Sequence, residues 1–252
     1  MEKLLEVILY LLPLFFQLLL LYWLSEQFQK MQIRLLGFKA ALYFFAPGVI
    51  IHELSHWLAC VLTSTPVGRV ALFSPREKPT GSGNYTLGYV EHGKPNFIAQ
   101  IVISLAPFFG VTAFVVLALK FLYPGLDLPA YQETGFSISL VFNLDFVKLI
   151  FSRFNLLDFR VWLFWYLMMA VLPGAAPSKE DLAPFFRSFL WFSGLFFLLF
   201  LFFQLLGVYL TPFFKEGAIS LLYLTSSCLG ISITCTLIGI ALLWLFSGLR
   251  KI

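Results

Sequence analysis

The sequence predicts an all-α polytopic membrane protein with about six transmembrane helices and a small β-hairpin between the second and third. Of its 252 residues, 60% are hydrophobic and only 12% are charged, whereas soluble domains average about 25% charged residues. The mean hydropathy is +0.89. Several apolar segments reach the roughly 20 residues that a helix needs to cross the hydrocarbon layer. We therefore expect residues 1–252 to form one integral membrane domain in a lipid bilayer.

The predicted spans follow directly from the apolar runs. They are 5–24, 38–63, 97–122, 156–175, 184–210 and 217–248. The first run is longer than the 7–15-residue apolar region of a signal peptide, and no small-residue cleavage motif follows it. We therefore expect it to be retained as a membrane span.

Residues 66–92 are predicted to form a β-hairpin between the second and third spans. Two strand-like runs, 67–74 and 84–91, flank a turn rich in Pro, Gly and Ser. Tyr85 and Tyr89 belong to an alternating pattern with a period of two, which is typical of a half-buried strand. The lipid core does not tolerate unpaired strand edges. The hairpin is therefore expected at the membrane surface or in a protected cavity.

Residues 136–151 form an apolar stretch that polar residues interrupt. Asn143, Asp145 and Lys148 lie inside it, which makes it too short and too polar for an ordinary span. An interfacial or re-entrant helix is the preferred interpretation, and a seventh span is the alternative.

The distribution of charge argues against a nucleic-acid partner, and the cysteines give no further information about partners. The net charge of +4 is spread between the spans, and no basic patch indicates nucleic-acid binding. Cys60, Cys228 and Cys235 lie in apolar segments without a CxxC spacing. They are expected to act as small hydrophobic residues of helices.

The segment HELSH places two histidines and a glutamate inside the second predicted span. His52 and His56 are four residues apart, so they project from one helix face, one turn apart. At this spacing both imidazoles can bind one Zn²⁺ ion. Glu53 follows the first ligand and can accept a proton from a water molecule at the metal. The pattern predicts a hydrolytic zinc site.

A structural explanation competes with this hypothesis, because the three polar groups could satisfy one another inside the helix bundle. However, a charge at the centre of a span costs at least about 2.5 kcal/mol, which makes intramembrane ionisable residues functional by default. Gly48, Ala59 and Thr63 lie on the same face as His52. These small residues allow a neighbouring helix or a substrate to approach the backbone. The composition of this face favours the metal site.

A catalytic zinc ion needs a third protein ligand, and four residues are candidates. Cys60 lies on the same helix, which makes convergence on one ion difficult, and His92 ends the predicted hairpin. Asp145 could instead pair with Lys148, three residues later. Asp181 follows Pro177 and Ser178 at a predicted helix start, where the helix dipole favours acidic residues. The residues alone do not decide between Asp145 and Asp181.

Several of these motifs together resemble the site-2 protease family (M50) of intramembrane zinc metalloproteases. They are HELSH in an early span, a short strand region, ISLAPFFG at the start of the next span, and an Asp near the start of a later helix. The resemblance covers roughly residues 40–190. PSKEDL is similar to the P-S-x-x-D variant of a small branch that lacks a PDZ domain. The resemblance implies His52, His56 and Asp181 as zinc ligands and Glu53 as general base.

The expected function is therefore that of a zinc-dependent intramembrane endopeptidase in a prokaryotic cytoplasmic membrane. Its substrate would be a transmembrane or juxtamembrane protein segment, unwound locally, and one hairpin strand could pair with it by β-addition. Three alternatives remain: a peptidase of another membrane family, which would use a Glu as third ligand; a metal-binding transporter; and a pseudoprotease that binds helices as an adaptor. Concentration of intramembrane polarity on one span argues against a transporter.

Overall fold

A computed structural model describes residues 2–74, 87–123, 148, 152, 155, 157–175, 182–206 and 212–249. This part of the chain is mostly helical and carries a small two-stranded sheet. The helices are α1 (Glu2–Leu36), α2 (Phe38–Leu62), α3 (Phe97–Leu122), α4 (Phe159–Val171), α5 (Leu182–Leu205) and α6 (Pro212–Leu249). A 3-10 turn at Leu172–Ala175 extends α4, and the strands are β1 (Val67–Ala71) and β2 (Tyr89–His92). The predicted helix at 136–151 lies outside the described residues apart from Lys148.

Four of the described helices are long and apolar enough to cross a membrane. Their apolar segments are Phe38–Leu62, Phe97–Leu122, Phe186–Phe203 and Thr225–Leu245, and Phe159–Gly174 is a shorter apolar helix. These helices indicate a membrane protein, in agreement with the composition. The six separate spans predicted from the sequence are not confirmed.

The first helix is longer than predicted. It continues without interruption to Leu36, where the sequence predicted a connection from residue 25 onwards. Lys30 pairs with Glu26 one turn earlier at 3.1 Å, and Gln32 is buried, so these polar residues belong to the helix surface and interior. Gly37 alone separates α1 from α2, with a φ of 82°. This conformation favours glycine and allows the chain to reverse within one residue.

Helices α2 and α4 run side by side in the same direction. Three successive turns of α2 contact three successive turns of α4 and its 3-10 extension. The contacts are Phe44 with Tyr166, Gly48 with Ala170, and His52 with Gly174. Since α4 begins beside the start of α2, it ends beside the middle of α2.

Helix α5 continues toward the other end of α2. Trp191 of α5 packs edge-to-face on Phe97, the first residue of α3. The start of α3 lies beside the end of α2, because Ala99 and Ile103 form an apolar cluster with Ala59 and Cys60. Two spans joined by a short connection would run in opposite directions. Helices α4 and α5 therefore follow one another along α2, and the predicted spans 156–175 and 184–210 are not confirmed as two opposite crossings.

Helices α1 and α6 form the longest helix pair and are also parallel. Gln17 donates to the Ser226 carbonyl at 3.0 Å and accepts from the Ser226 hydroxyl at 2.9 Å. Further along both helices, the Phe28 ring lies against Gly239, where an added Cβ would come within 2.7 Å of the ring. The buried Gln17–Ser226 pair satisfies two polar side chains inside the apolar bundle.

The sheet packs on the end of α2 and the start of α3. Strands β1 and β2 are antiparallel, with Val70 opposite Val90 and an irregularity between Val67 and Val70. Val67 and Val90 pack on the apolar cluster that joins α2 to α3. The Asn96 side chain caps α3 by accepting from Ala99 N at 2.8 Å. The sheet and the second and third helices therefore form one packed unit.

The parallel arrangement of α1 and α6 predicts the sidedness of their ends. Cysteines introduced as Leu36→Cys and Gly248→Cys, in a background without native cysteines, should react with an impermeant maleimide from the same side of the membrane. Arg69→Cys, beyond the end of the antiparallel α2, is the control and should react from the other side. Labelling of Leu36→Cys and Gly248→Cys from opposite sides would contradict the parallel packing.

Candidate metal centre

The site lies on the buried face of α2. This face carries Gly48, His52, Ser55, His56 and Ala59. Both histidine side chains are 8% exposed. Burial of two imidazoles in an apolar bundle is unfavourable unless their ring nitrogens have partners, so the arrangement of these partners determines what the site can do.

His52 is held by the end of the neighbouring helix. Its Nδ1 lies 2.8 Å from the Gly174 carbonyl oxygen, in the 3-10 turn that extends α4. The last carbonyls of a helix have no N–H donor within the helix. The end of α4 at mid-length of α2 therefore supplies an acceptor at the level of His52.

His56 is held by α3 in a similar way. Its Nδ1 lies 3.0 Å from the Ile103 carbonyl oxygen, although Ile103 is inside a helix. In an unbroken helix this carbonyl would accept from the N–H of residue 107. Residue 107 is a proline, which has no N–H. The Ile103 carbonyl is therefore available to the imidazole.

These contacts determine the tautomer of both imidazoles. A carbonyl oxygen can only accept a hydrogen bond, so Nδ1 is the donor in His52 and in His56. In a neutral imidazole Nε2 then carries the lone pair. The ring centroids are 4.9 Å apart, a separation at which two imidazoles can share one ion with Zn–N bonds of about 2.0–2.1 Å. The tautomers and the spacing fit metal coordination through the two Nε2 atoms.

The Glu53 side chain projects from α2 toward the sheet. A Cβ added to Gly88, next to β2, would lie 2.7 Å from Glu53 Cγ, 2.9 Å from the Leu72 carbonyl oxygen and 3.0 Å from Val49 Cγ1. The backbone at Gly88 therefore packs directly on the Glu53 side chain. Leu87 extends the strand pairing by accepting from Ser74 N at 2.6 Å. The Glu53 side chain thus lies against the backbone that leads into β2, and Glu53 adjoins His52 in the sequence.

Glycines allow the close approach that the His52 contact needs. A Cβ on Gly48 would collide with the Ala170 carbonyl oxygen, and one on Gly174 would lie 3.0 Å from the Gly48 carbonyl oxygen. A Cβ on Gly110 of α3 would collide with the Ser55 hydroxyl. The expected close approach at Gly48 is therefore confirmed. Both helices that hold the histidines contact α2 through backbone.

The described residues do not complete a metal site. No group of three or more His, Cys, Asp or Glu side chains that could hold a metal occurs among them. Cys60 is buried in the apolar cluster between α2 and α3, and His92 is an exposed residue whose Nδ1 contacts the Gly93 carbonyl. Neither joins His52 and His56. Asp145 and Asp181 lie outside the described residues.

Two elements of the site were missed by the sequence analysis. Pro107 was noted within ISLAPFFG without a role, although a proline in a predicted helix always leaves the carbonyl four residues earlier without its donor. Gly88 lies in the strand-like run 84–91, where nothing in the sequence indicates a contact with Glu53. Its contact with Glu53 depends on how the sheet docks on α2, for which the sequence has no local pattern.

Comparisons with protein-family models, with curated proteins and with solved structures found no match to this chain.

The Gly48 contact predicts a strong effect of one added methyl group. Gly48→Ala should lower the free energy of unfolding by about 1–3 kcal/mol, because the new Cβ meets backbone that cannot rotate away. The loss should appear as a lower midpoint of thermal unfolding in detergent. Gly194→Ala in α5 is the matched control, since nothing lies within 4 Å of its added Cβ. Equal stability of the two variants would contradict the tight packing of α2 on α4.

Proposed function

We propose that this protein is a zinc-dependent intramembrane endopeptidase that hydrolyses peptide bonds in or near transmembrane segments of membrane proteins. One observation carries the proposal: both histidines of HELSH donate Nδ1–H to backbone carbonyls. Metal-binding histidines usually donate their second ring nitrogen in this way, which fixes the tautomer and orients the ligand atom. Two histidines that only fill a helix interface have no need to carry the proton on Nδ1 in both rings.

His52, His56 and Asp181 are the proposed metal ligands. Support for Asp181 comes from the resemblance to the P-S-x-x-D motif and from the ends of its segment. The Gly174 carbonyl, which accepts from His52, lies seven residues before Asp181, and α5 begins immediately after it at Leu182. Asp181 is therefore close in sequence to a residue that contacts His52 directly. Asp145 is the alternative third ligand.

Glu53 is the proposed general base. It takes a proton from the attacking water and passes it to the leaving amine, as the Glu of HExxH does in zinc peptidases. When bound, Zn²⁺ supplies Lewis acidity that polarises the scissile carbonyl and lowers the pKa of water. Both histidines are buried, so bulk water has little access to the position that the metal would occupy.

The sheet is the proposed guide for the substrate. A transmembrane helix must unwind before its backbone can reach the site, and an extended segment can add to a sheet edge through backbone hydrogen bonds. The packing of the Gly88 backbone against the Glu53 side chain supports this role. A segment paired with this sheet would pass close to the general base.

The protein is proposed to be multi-pass, with five crossings. They are α1, α2, α3, the α4–α5 pair and α6. Support comes from the parallel packing of α2 with α4 and of α1 with α6, since an odd number of crossings makes the first and last helices parallel.

The role of Glu53 predicts a separation of metal binding from catalysis. Glu53→Gln should retain zinc and cleave labelled casein in detergent about 10²–10⁴-fold more slowly than wild type, because it cannot accept the proton. Glu26→Gln in α1, whose carboxylate pairs with Lys30 one turn later, is the matched control and should cleave normally. A Glu53→Gln variant as active as wild type would overturn the mechanism. Wild-type protein that binds zinc but cleaves nothing would favour a transporter or an adaptor.

The third ligand predicts a difference between two aspartates. Asp181→Ala should lose zinc during purification in a weak chelator, whereas Asp145→Ala should retain it, because removal of one of three protein ligands greatly weakens binding. Metal analysis of both purified variants measures this. Loss of zinc from Asp145→Ala alone would assign the third ligand to Asp145.

A further inference from the structure

Helix α3 contains one irregularity that coincides with the site. Pro107 lies inside α3, four residues after Ile103, whose carbonyl oxygen lies 3.0 Å from His56 Nδ1. In a regular helix the N–H of residue 107 would bond to this oxygen. A proline removes the donor, and its ring also crowds the carbonyl four residues earlier and pushes it off the helix axis.

Inside a membrane the released carbonyl must find another donor. Bulk water is scarce there, and neighbouring helices normally satisfy the backbone groups that a proline releases. Ile103 is 2% exposed, so little solvent reaches its surroundings. The imidazole of His56 meets this demand. The carbonyl and the imidazole therefore satisfy each other at a point where α2 and α3 are in contact.

We propose that Pro107 is a positioning residue for the metal site. By withholding an N–H from the Ile103 carbonyl, it makes this carbonyl the acceptor for His56 Nδ1 and so leaves the Nε2 lone pair for the metal. Pro107 itself contacts neither metal nor substrate in this scheme. The inference rests on the proposed function for the role of Nε2, but the effect of Pro107 on the tautomer does not depend on a bound metal.

Any proline inside a helix removes a hydrogen bond and can kink the helix, so a second proline inside a helix is needed as a control. Pro13 lies inside α1 in the same way, and it is remote in sequence from both histidine contacts. Pro13→Ala restores a helix N–H in α1, which supplies the acceptor of neither histidine. It therefore separates the general effect of proline from the specific effect of Pro107.

The direct test is the tautomer of His56 in metal-free protein. Nitrogen NMR of histidine-labelled protein, at a pH above the usual imidazole pKa of about 6.5, distinguishes Nδ1–H from Nε2–H. His52→Gln and His92→Gln variants assign the signals. Wild type and the Pro13→Ala variant, which keeps Pro107, should both show Nδ1–H at His56. Pro107→Ala should lose this preference, because the new N–H competes for the Ile103 carbonyl. An unchanged tautomer in Pro107→Ala would overturn the proposal.

A second variant separates the missing N–H from the shape of the proline ring. Replacement of residue 107 by the α-hydroxy analogue of alanine introduces an ester, which has neither N–H nor ring. It should restore the Nδ1–H tautomer that Pro107→Ala loses. If it behaves like Pro107→Ala, the missing donor is not the cause and the proposal is wrong.

Zinc affinity provides the link to the proposed function. Pro107→Ala should bind zinc about 10–100-fold more weakly than wild type, as is usual when the hydrogen-bond partner of a ligand is lost, and Pro13→Ala should match wild type. If wild type binds no zinc, the proposed function fails, whereas the tautomer measurement still decides the role of Pro107. If zinc binds equally to wild type and Pro107→Ala, the positioning role is overturned and the proposed function stands.

Discussion

Two imidazoles buried in an apolar helix bundle must find their hydrogen-bond acceptors inside the protein, and the arrangement of the site depends on this constraint. A buried polar group without a partner costs about 1–3 kcal/mol. Regular helices offer few acceptors, because their carbonyls are occupied. The protein supplies one acceptor where α4 ends, at Gly174, and another where Pro107 interrupts the ladder of α3. Each histidine is therefore paired with an irregularity in a neighbouring helix.

These contacts also require close packing. Gly48 lies one turn before His52 and brings α2 against the backbone of α4. Two turns further along the same face of α2, Gly110 of α3 receives the Ser55 side chain, whose hydroxyl donates to the Ile51 carbonyl at 2.6 Å. Small residues at helix interfaces commonly allow such approach in membranes. The same contacts that stabilise the bundle thus set the positions of the two histidines.

Local patterns predicted some elements closely. Helix α3 has the predicted bounds, 97–122, and α2 differs by one residue, because the apolar runs end sharply at polar or turn residues. The continuation of α1 to Leu36 was missed, since buried polar residues such as Gln32 resemble a connection in sequence. Six alternating spans would make the first and last helices antiparallel, so the common direction of α1 and α6 was also missed. Apolar segments indicate length and not direction, which depends on packing between distant parts of the chain.

In the candidate site, too, local features were predictable from the sequence and features set by tertiary packing were not. The spacing of His52 and His56 predicted a shared face, and the structure brings the two rings together. Their acceptors lie 122 and 47 residues away in sequence, so no local pattern could identify them. Glu53 was singled out by its motif, whereas its contact with Gly88 required the docked sheet. Chemistry carried by neighbouring residues was therefore predictable, and chemistry assembled by tertiary packing was not.

Zinc K-edge X-ray absorption of the purified protein tests the proposed metal site most directly. Coordination by His52, His56 and a carboxylate predicts two imidazole nitrogens and oxygen ligands at about 2.0–2.2 Å, without sulfur. A His56→Gln variant lacks one of the three proposed protein ligands, so it should lose most of its zinc and with it the absorption edge. A sulfur ligand at about 2.3 Å, or a wild-type spectrum with fewer than two imidazoles, would contradict the site.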